Sequence, residues 1–382
     1  MASSSFTSNS DLELDALERV PPGRVPVAAI AFLLAVICIE VSVSAHREWF
    51  ADLAAWQWEV KRTLIADRTL DGDVAVFGTS VLFHSLDPTE ANRALGGARV
   101  VNLALNGMLL QHQTQLLRER LAAPKPPSVI VLELRNAVVE PESWIRGPYF
   151  RFWASWNDFV ESRFYYTRPS LALSFAEYRL LPSFRYREAL DNWVFDSLRS
   201  RRIERHTRDR NLATAAEMRD HIGMVRADFD ARTVVPPPGG TKVREWSTDP
   251  AGELWLHALL STAAAHNVQV VLLLPPAPPF FVERAGPDGF RQRFAAEVAR
   301  LQEMYPTLGI KVFEPTGYSL EDFADNVHFN TQGRLKLTAE FASWITDFWS
   351  ARNLELNSPT ESSGSVSGAD LRRAAPAKGL RE

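Results

Sequence analysis

Four segments of this chain hold polar residues where chemistry could be done, and each follows a run of Val, Ile and Leu or precedes a helical pattern. Ser80 ends the segment Val76-Phe77-Gly78-Thr79-Ser80, a serine on the turn after an apolar run. Gly78 permits a tight turn, and the helix expected next offers free backbone N–H groups, the donors an oxyanion needs. The same pattern also describes an ordinary helix cap. Asn106-Gly107 follows a second apolar run. A glycine there lets the backbone approach a ligand and donate its N–H, or simply turns the chain. Asn136, in Glu133-Leu134-Arg135-Asn136, carries a side-chain amide that can serve the same oxyanion or end a strand as an Asx turn. The fourth segment is Asp325-Asn326-Val327-His328-Phe329-Asn330-Thr331-Gln332-Gly333. An acid three residues before a histidine can lay its carboxylate on the imidazole and fix its tautomer. The other ring nitrogen is then free to take a proton from a nucleophile, the logic of acyl transfer. A plain surface loop with an ordinary histidine is the alternative.

Such groups need a scaffold, and the pattern between them supplies one. Short Val/Ile/Leu-rich runs at 73–77, 98–103, 128–134, 268–274 and 310–314 suit strands buried on both faces of a parallel sheet. Helical patterns at 108–122, 250–266, 288–304 and 331–349 lie between or after them. This alternation predicts an α/β doubly wound parallel sheet of five strands, with ligands outside the strands' carboxyl ends. The core reads as two parts, 71–139 and 241–352. Between them, 140–240 lacks a strand pattern and concentrates aromatics such as Trp144, Phe150, Trp156 and Tyr166. It reads as a mostly helical insertion over the carboxyl edge of the sheet, its aromatics forming a core or stacking on sugar rings. Residues 353–382 are Ser-, Gly-, Pro- and Ala-rich and read as a disordered tail.

The amino-terminal part has a different character. A polar leader (1–24) precedes an apolar stretch, 25–45, broken only by Glu40, and 46–70 reads as a connecting helix. About 20 residues span a bilayer core, so 25–45 is expected to anchor the chain in a membrane as a single-pass segment. A signal peptide cleaved before His46, which would release a secreted protein, is the alternative. Arg19 and Arg24 before the span nearly balance the basic residues after it, so charge leaves the topology open. Either reading delivers the bulk of the chain to the outer side of a membrane. Cys38, the single cysteine, excludes an internal disulfide framework, a cysteine-based zinc cluster and a thiol nucleophile in the soluble part. A net charge of −4 and the absence of a recognised motif argue against nucleic acid, despite the basic stretch 199–210. His84 and His112 have no metal-ligand spacing and read as structural or surface residues, and no glycine-rich phosphate loop appears, so no cofactor and no metal are expected.

Taken together, Gly78-Thr79-Ser80, Asn106-Gly107, Asn136 and Asp325-Asn326-Val327-His328 resemble the ordered blocks of the SGNH (GDSL-like) hydrolase family over about 72–136 and 250–350. The resemblance implies a flavodoxin-like SGNH hydrolase fold with Ser80 as nucleophile, His328 as general base and Asp325 as its partner. It also implies an oxyanion hole made by the Ser80 and Gly107 N–H groups and the Asn136 amide. The chain departs from the family where Thr79 replaces the usual aspartate and Leu134-Arg135-Asn136-Ala137 replaces Gly-x-Asn-Asp. Anchor, divergent blocks and long insertion resemble the membrane-anchored SGNH proteins of envelope polysaccharide O-acetylation and D-alanine transfer. That likeness implies a periplasmic or extracellular serine esterase or O-acyltransferase. Its substrate would be acyl esters, O-acetyl groups above all, on an envelope or exported glycan, with a membrane acyl-transport protein as a partner. A non-catalytic glycan-binding or assembly protein on the same fold is the alternative.

Overall fold

The computed structural model describes residues 27–51, 53–96, 98–134, 149–162, 169–187, 190–191, 203–226, 250–280 and 289–357. Its centre is a five-stranded sheet of β1 (Val74–Phe77), β2 (Val100–Asn102), β3 (Val129–Glu133), β4 (Gln269–Leu273) and β5 (Lys311–Phe313), in the order β2-β1-β3-β4-β5. All pairings are parallel; Val74 stands beside both Val100 and Val129, and Val129 beside Gln269. Each strand falls inside one of the five apolar runs. Every residue of β1, β2 and β3 is buried, so both faces are covered, which is why those runs are continuous rather than alternating. The order reverses between β1 and β3, and open α/β sheets hold ligands beyond the carboxyl ends at such a point.

Thirteen α-helices are described: α1 (Val27–Ala45), α2 (Arg47–Phe50), α3 (Leu53–Ala66), α4 (Ser80–Ser85), α5 (Pro88–Leu95), α6 (Leu110–Leu121), α7 (Trp156–Ser162), α8 (Pro169–Leu180), α9 (Pro182–Arg185), α10 (Ile203–Asp220), α11 (Pro250–Ala265), α12 (Gly289–Met304) and α13 (Thr331–Asn357). Around the sheet, α6 packs with α11, and α13 packs with α4 and α5. The expected 108–122, 250–266 and 288–304 match α6, α11 and α12 closely. The last helix runs on to Asn357, past the boundary expected at 352.

α1 is long and apolar enough to cross a membrane, and most of its surface is unburied. The expected single helix over 47–70 is two, because Ala51 between them is extended (φ −65°, ψ 127°). α3 is not a mere connector. Trp58, Val60, Leu64 and Ile65 are buried in the common core, each apolar side chain worth roughly 1.5–3 kcal/mol.

The insertion is helical where it is described, and its described helices contact the amino-terminal helices. α9, paired with α8, lies against α1, and α10 lies against α2 and α3, with Asn211 donating to the Glu48 and Ala51 carbonyls. Residues 221–226 reach the sheet's carboxyl edge: Ile222 O accepts the Asn102 N–H at 3.1 Å, and Arg226 pairs with buried Asp87 at 2.7 Å. The aromatics pack on one another. Phe175, fully buried, meets Phe150, Trp156 and Phe159 with ring centroids 4.6–5.7 Å apart. Trp144 and Tyr166, the 1–24 leader and all but the first residues of the expected tail lie outside the described residues.

Candidate active site

Ser80 is the first residue of α4, on the turn that leaves β1 at the point where the strand order reverses. Three groups build that turn. Thr79 is the N-cap of α4, its hydroxyl accepting from the Val81 N–H at 3.3 Å. The Thr79 N–H donates to Glu133 Oε2 at 2.8 Å, and its hydroxyl lies 2.9 Å from Glu133 Oε1. Glu133, the last residue of β3, is 2% exposed and lies directly under the turn. Gly78 is required by that carboxylate, since a Cβ at 78 would stand 2.5 Å from Glu133 Oε2 and 2.9 Å from the Leu82 side chain. Ser80, half-buried, is thus presented with its backbone N–H among the unpaired donors of a helix start.

The histidine arrives from the far edge of the sheet. After β5 the chain folds into a self-closed loop in which Phe323 bridges Phe329 and their rings stack at 4.7 Å. The Ala324 N–H donates to His328 O at 2.9 Å, and the Asn330 N–H to Asp322 O at 3.0 Å. Asn330 caps α13, its side chain accepting from the Gly333 N–H at 3.0 Å and donating to the Glu321 carbonyl. Gly333 allows this closure, because a Cβ there would fall 2.1 Å from Asp322 O. The asparagine and glycine that follow His328 in the sequence are therefore the parts that hold its loop.

Within that loop Asp325 Oδ1 accepts the Val327 and His328 N–H groups, both at 2.7 Å, and Oδ2 stands 2.8 Å from His328 Nδ1. His328 Nε2 lies 2.8 Å from Ser80 Oγ. Asp325, half-exposed, is opposed in its ionisation by partial burial. The hydrogen bonds from the His328 ring and from the two backbone N–H groups outweigh this and keep its carboxyl below the usual value. A carboxylate on Nδ1 requires that nitrogen to carry the proton, so Nε2 presents its lone pair to the serine hydroxyl. Three residues chosen by type and spacing, two of them 248 positions apart, form one continuous relay.

Gly107 sits on an exposed turn after β2 with φ +64°, a left-handed conformation that suits glycine. His84, on α4, faces the neighbouring Asn106 side chain with Nε2 at 3.1 Å and the Val225 carbonyl with Nδ1 at 3.2 Å. The Asn106-Gly107 turn is thereby tied to the helix that begins at Ser80. Asn136 lies outside the described residues.

Two groups with no expected part in the site support it. Lys61, on α3 and fully buried, donates to Asn102 O at 2.9 Å and to Ala104 O, capping the carboxyl end of β2 beneath the Gly107 turn. Burial holds its ammonium well below its ordinary range. Glu133 is the other; its signal was an acid at the end of an otherwise apolar buried run. His84, part-buried, and His112, buried, read in the sequence as structural or surface residues, lie inside the fold. Burial pushes His84 down to about 4, aided by the nearby His328 and Lys61 charges and opposed by its Val225 and Asn106 contacts, and burial pushes His112 down to about 3. Among the described residues no three His, Cys, Asp or Glu side chains gather to hold a metal ion.

The arrangement can polarise a serine hydroxyl at the mouth of a parallel sheet, beside a glycine turn and a helix start that both carry backbone donors. No protein-family model matches the chain, and no curated protein matches it.

Proposed function

We propose that this chain is a membrane-anchored serine esterase or O-acyltransferase of the SGNH type, acting on acyl esters, O-acetyl groups above all, of an envelope or exported glycan. The observation that carries the reading is the Ser80–His328–Asp325 relay, with 2.8 Å at both contacts. α1 supports the anchored setting, being long and apolar enough to span a bilayer.

In this reaction Ser80 Oγ attacks the ester carbonyl while its proton passes to His328 Nε2. Asp325 stabilises the imidazolium that forms, through the hydrogen on Nδ1. The oxyanion of the tetrahedral intermediate is received by the Ser80 and Gly107 N–H groups and the Asn136 amide, where each donor is worth about 10²–10³ in rate. Collapse breaks the bond to the alcohol, which leaves with the proton from Nε2, and the acyl group stays on Ser80. Water or a sugar hydroxyl then gives its proton to Nε2 and attacks the acyl carbonyl; the bond to Ser80 Oγ breaks and Oγ takes the proton back from Nε2, leaving free acid in the first case and a new ester in the second.

The test combines a serine-directed fluorophosphonate with hydrolysis of 4-nitrophenyl acetate by the full-length chain. Labelling of the wild type, its loss in Ser80→Ala, and a fall in turnover of at least about 10³-fold in Ser80→Ala and His328→Ala are expected. A wild-type chain that neither takes the label nor turns over the ester would instead be a non-catalytic glycan-binding protein on this fold.

A further inference from the structure

α8 is apolar on its outer face as well as its inner one. Its exposed positions, Pro169, Ser170, Ala172, Leu173 and Leu180, together with half-exposed Ala176, follow helical spacing along one face, on which half-exposed Glu177 is the one charge. Leu173 is 63% and Leu180 71% exposed, and Phe184 on α9 extends the same stripe. The inner face carries buried Phe175, with Leu171 and Tyr178 packed on the core, and half-buried Arg179 donates to the Phe150 and Phe152 carbonyls. A surface helix in water carries polar residues on its outer face, which α8 largely lacks. Trp156, half-exposed, stands edge-on to Phe175 at 5.0 Å beside this stripe.

What covers the face is indicated by α1. Glu40, the one charge in that apolar helix, receives the Ser183 N–H at 2.7 Å and the Ser183 hydroxyl, so α9 docks on the flank of α1. Glu40 lies five residues before Ala45, about 7 Å along the axis from the helix end. Helices that lie in a membrane interface settle about 5–10 Å into the headgroup and acyl boundary. With α1 in a bilayer, the Glu40–Ser183 contact sets α8 and α9 at that depth. Tryptophan is a residue of the same layer.

We infer that α8 and α9 form a second membrane contact, an interfacial platform whose Leu173, Leu180 and Phe184 enter the lipid of the leaflet that α1 leaves. The inference rests on α1 lying in a bilayer. It gives the chain two attachments, which fix the orientation of the sheet over the membrane as a single helix does not.

The test uses the full-length chain with Cys38→Ser, carrying one new cysteine at a time through Leu173→Cys, Leu180→Cys, Phe32→Cys on α1, or Met304→Cys. Met304 lies at the end of α12 beside β5, the opposite edge of the sheet from α3. Each variant is labelled with an environment-sensitive fluorophore and reconstituted into phosphatidylethanolamine–phosphatidylglycerol vesicles, with and without lipids bearing a nitroxide high on the acyl chain. Blue-shifted emission and several-fold quenching by nitroxide lipid are expected at 173, 180 and 32, and neither at 304. Labels at 173 and 180 that behave like the one at 304 would overturn the platform. So would emission there that is blue-shifted but unquenched, since protein, such as a second copy of the chain, would then cover the face. An unquenched label at 32 would overturn the anchoring itself and the platform with it.

Discussion

Thr79 stands where the resembled family carries an aspartate, and its partnership with Glu133 gives a measurable reason for the residue present. Thr79→Val keeps the side-chain shape and the backbone N–H bond to Glu133 Oε2 but removes the hydroxyl. Two interactions go. The bond from Val81 N to the hydroxyl is long at 3.3 Å, which puts its loss near the lower end of the range of about 0.5–2 kcal/mol for an N-cap. The 2.9 Å bond to Glu133 is charge-assisted, at a carboxylate only 2% exposed, and its loss costs about 1.5–3 kcal/mol. The expected destabilisation is therefore about 3 kcal/mol. Thr79→Ser keeps both bonds and should cost less than about 1 kcal/mol. Glu133→Gln still accepts from the Thr79 N–H, and the coupling between positions 79 and 133 in a double-mutant cycle should be about 1–2 kcal/mol. Urea unfolding of the full-length chain in micelles, followed by tryptophan fluorescence, reads the stability. The rate of fluorophosphonate labelling reads the presentation of Ser80 and should fall about tenfold in Thr79→Val. A Thr79→Val chain within 0.5 kcal/mol of wild type, at undiminished labelling rate, would show that the hydroxyl does not organise the turn. A loss in the serine variant larger than that in the valine variant would assign the effect to the methyl group instead.

Asp325→Asn keeps the shape but favours a proton on Nε2, facing the serine. kcat/KM for ester hydrolysis should fall by about 10²-fold, less than the roughly 10⁴ seen where such a carboxylate is buried, because Asp325 is half-exposed. Unchanged activity would remove Asp325 from the relay. His84 and His112 are held neutral in the folded chain, with pKa values near 4 and 3 against about 6.5 when unfolded. On acidification the unfolded state therefore binds protons first, so stability complete above about pH 6.5 is lost as pH falls toward 4 and below. The His84 share is about 3 kcal/mol, and a His84→Gln chain whose stability falls as steeply between pH 7 and 4.5 would refute it. Gly223→Ala should destabilise far more than Gly107→Ala, although both glycines have positive φ. A Cβ at 223 falls 2.0 Å from Asn102 O, whereas nothing lies within 4 Å of one at 107. Equal unfolding midpoints for the two variants would contradict this.

The sheet was readable because parallel strands covered on both faces need unbroken apolar runs, and all five runs contain a strand. The relay was readable for a related reason: residues after successive strands converge, so order along the chain stands in for distance, even between Ser80 and His328. What stayed hidden depends on contacts between distant segments. Nothing local to Lys61 says that its ammonium will cap carbonyls 41 and 43 residues away. Glu133 was visible as an acid in an apolar run, but its partner Thr79 is 54 positions off. The docking of the insertion's described helices stayed hidden for the same reason. A single serine meeting Glu40 across 143 residues directs α9 to α1, and no periodicity encodes that pairing. Helices α4 and α5, six and eight residues long, are too short for their spacing to stand out.

The buried face of α3 bears on where a functional fragment can be cut. A truncation made at the first strand, the boundary that strand patterns suggest, would strip Trp58, Leu64 and Ile65 from the core and leave the carbonyls of Asn102 and Ala104 uncapped. The break around Ala51, upstream of α3, is itself held: Ala51 is buried, and its carbonyl accepts from Asn211 on α10. A cut that separates α1 from the fold and spares the fold therefore has to fall upstream of Leu53 and carry α3 along with the sheet.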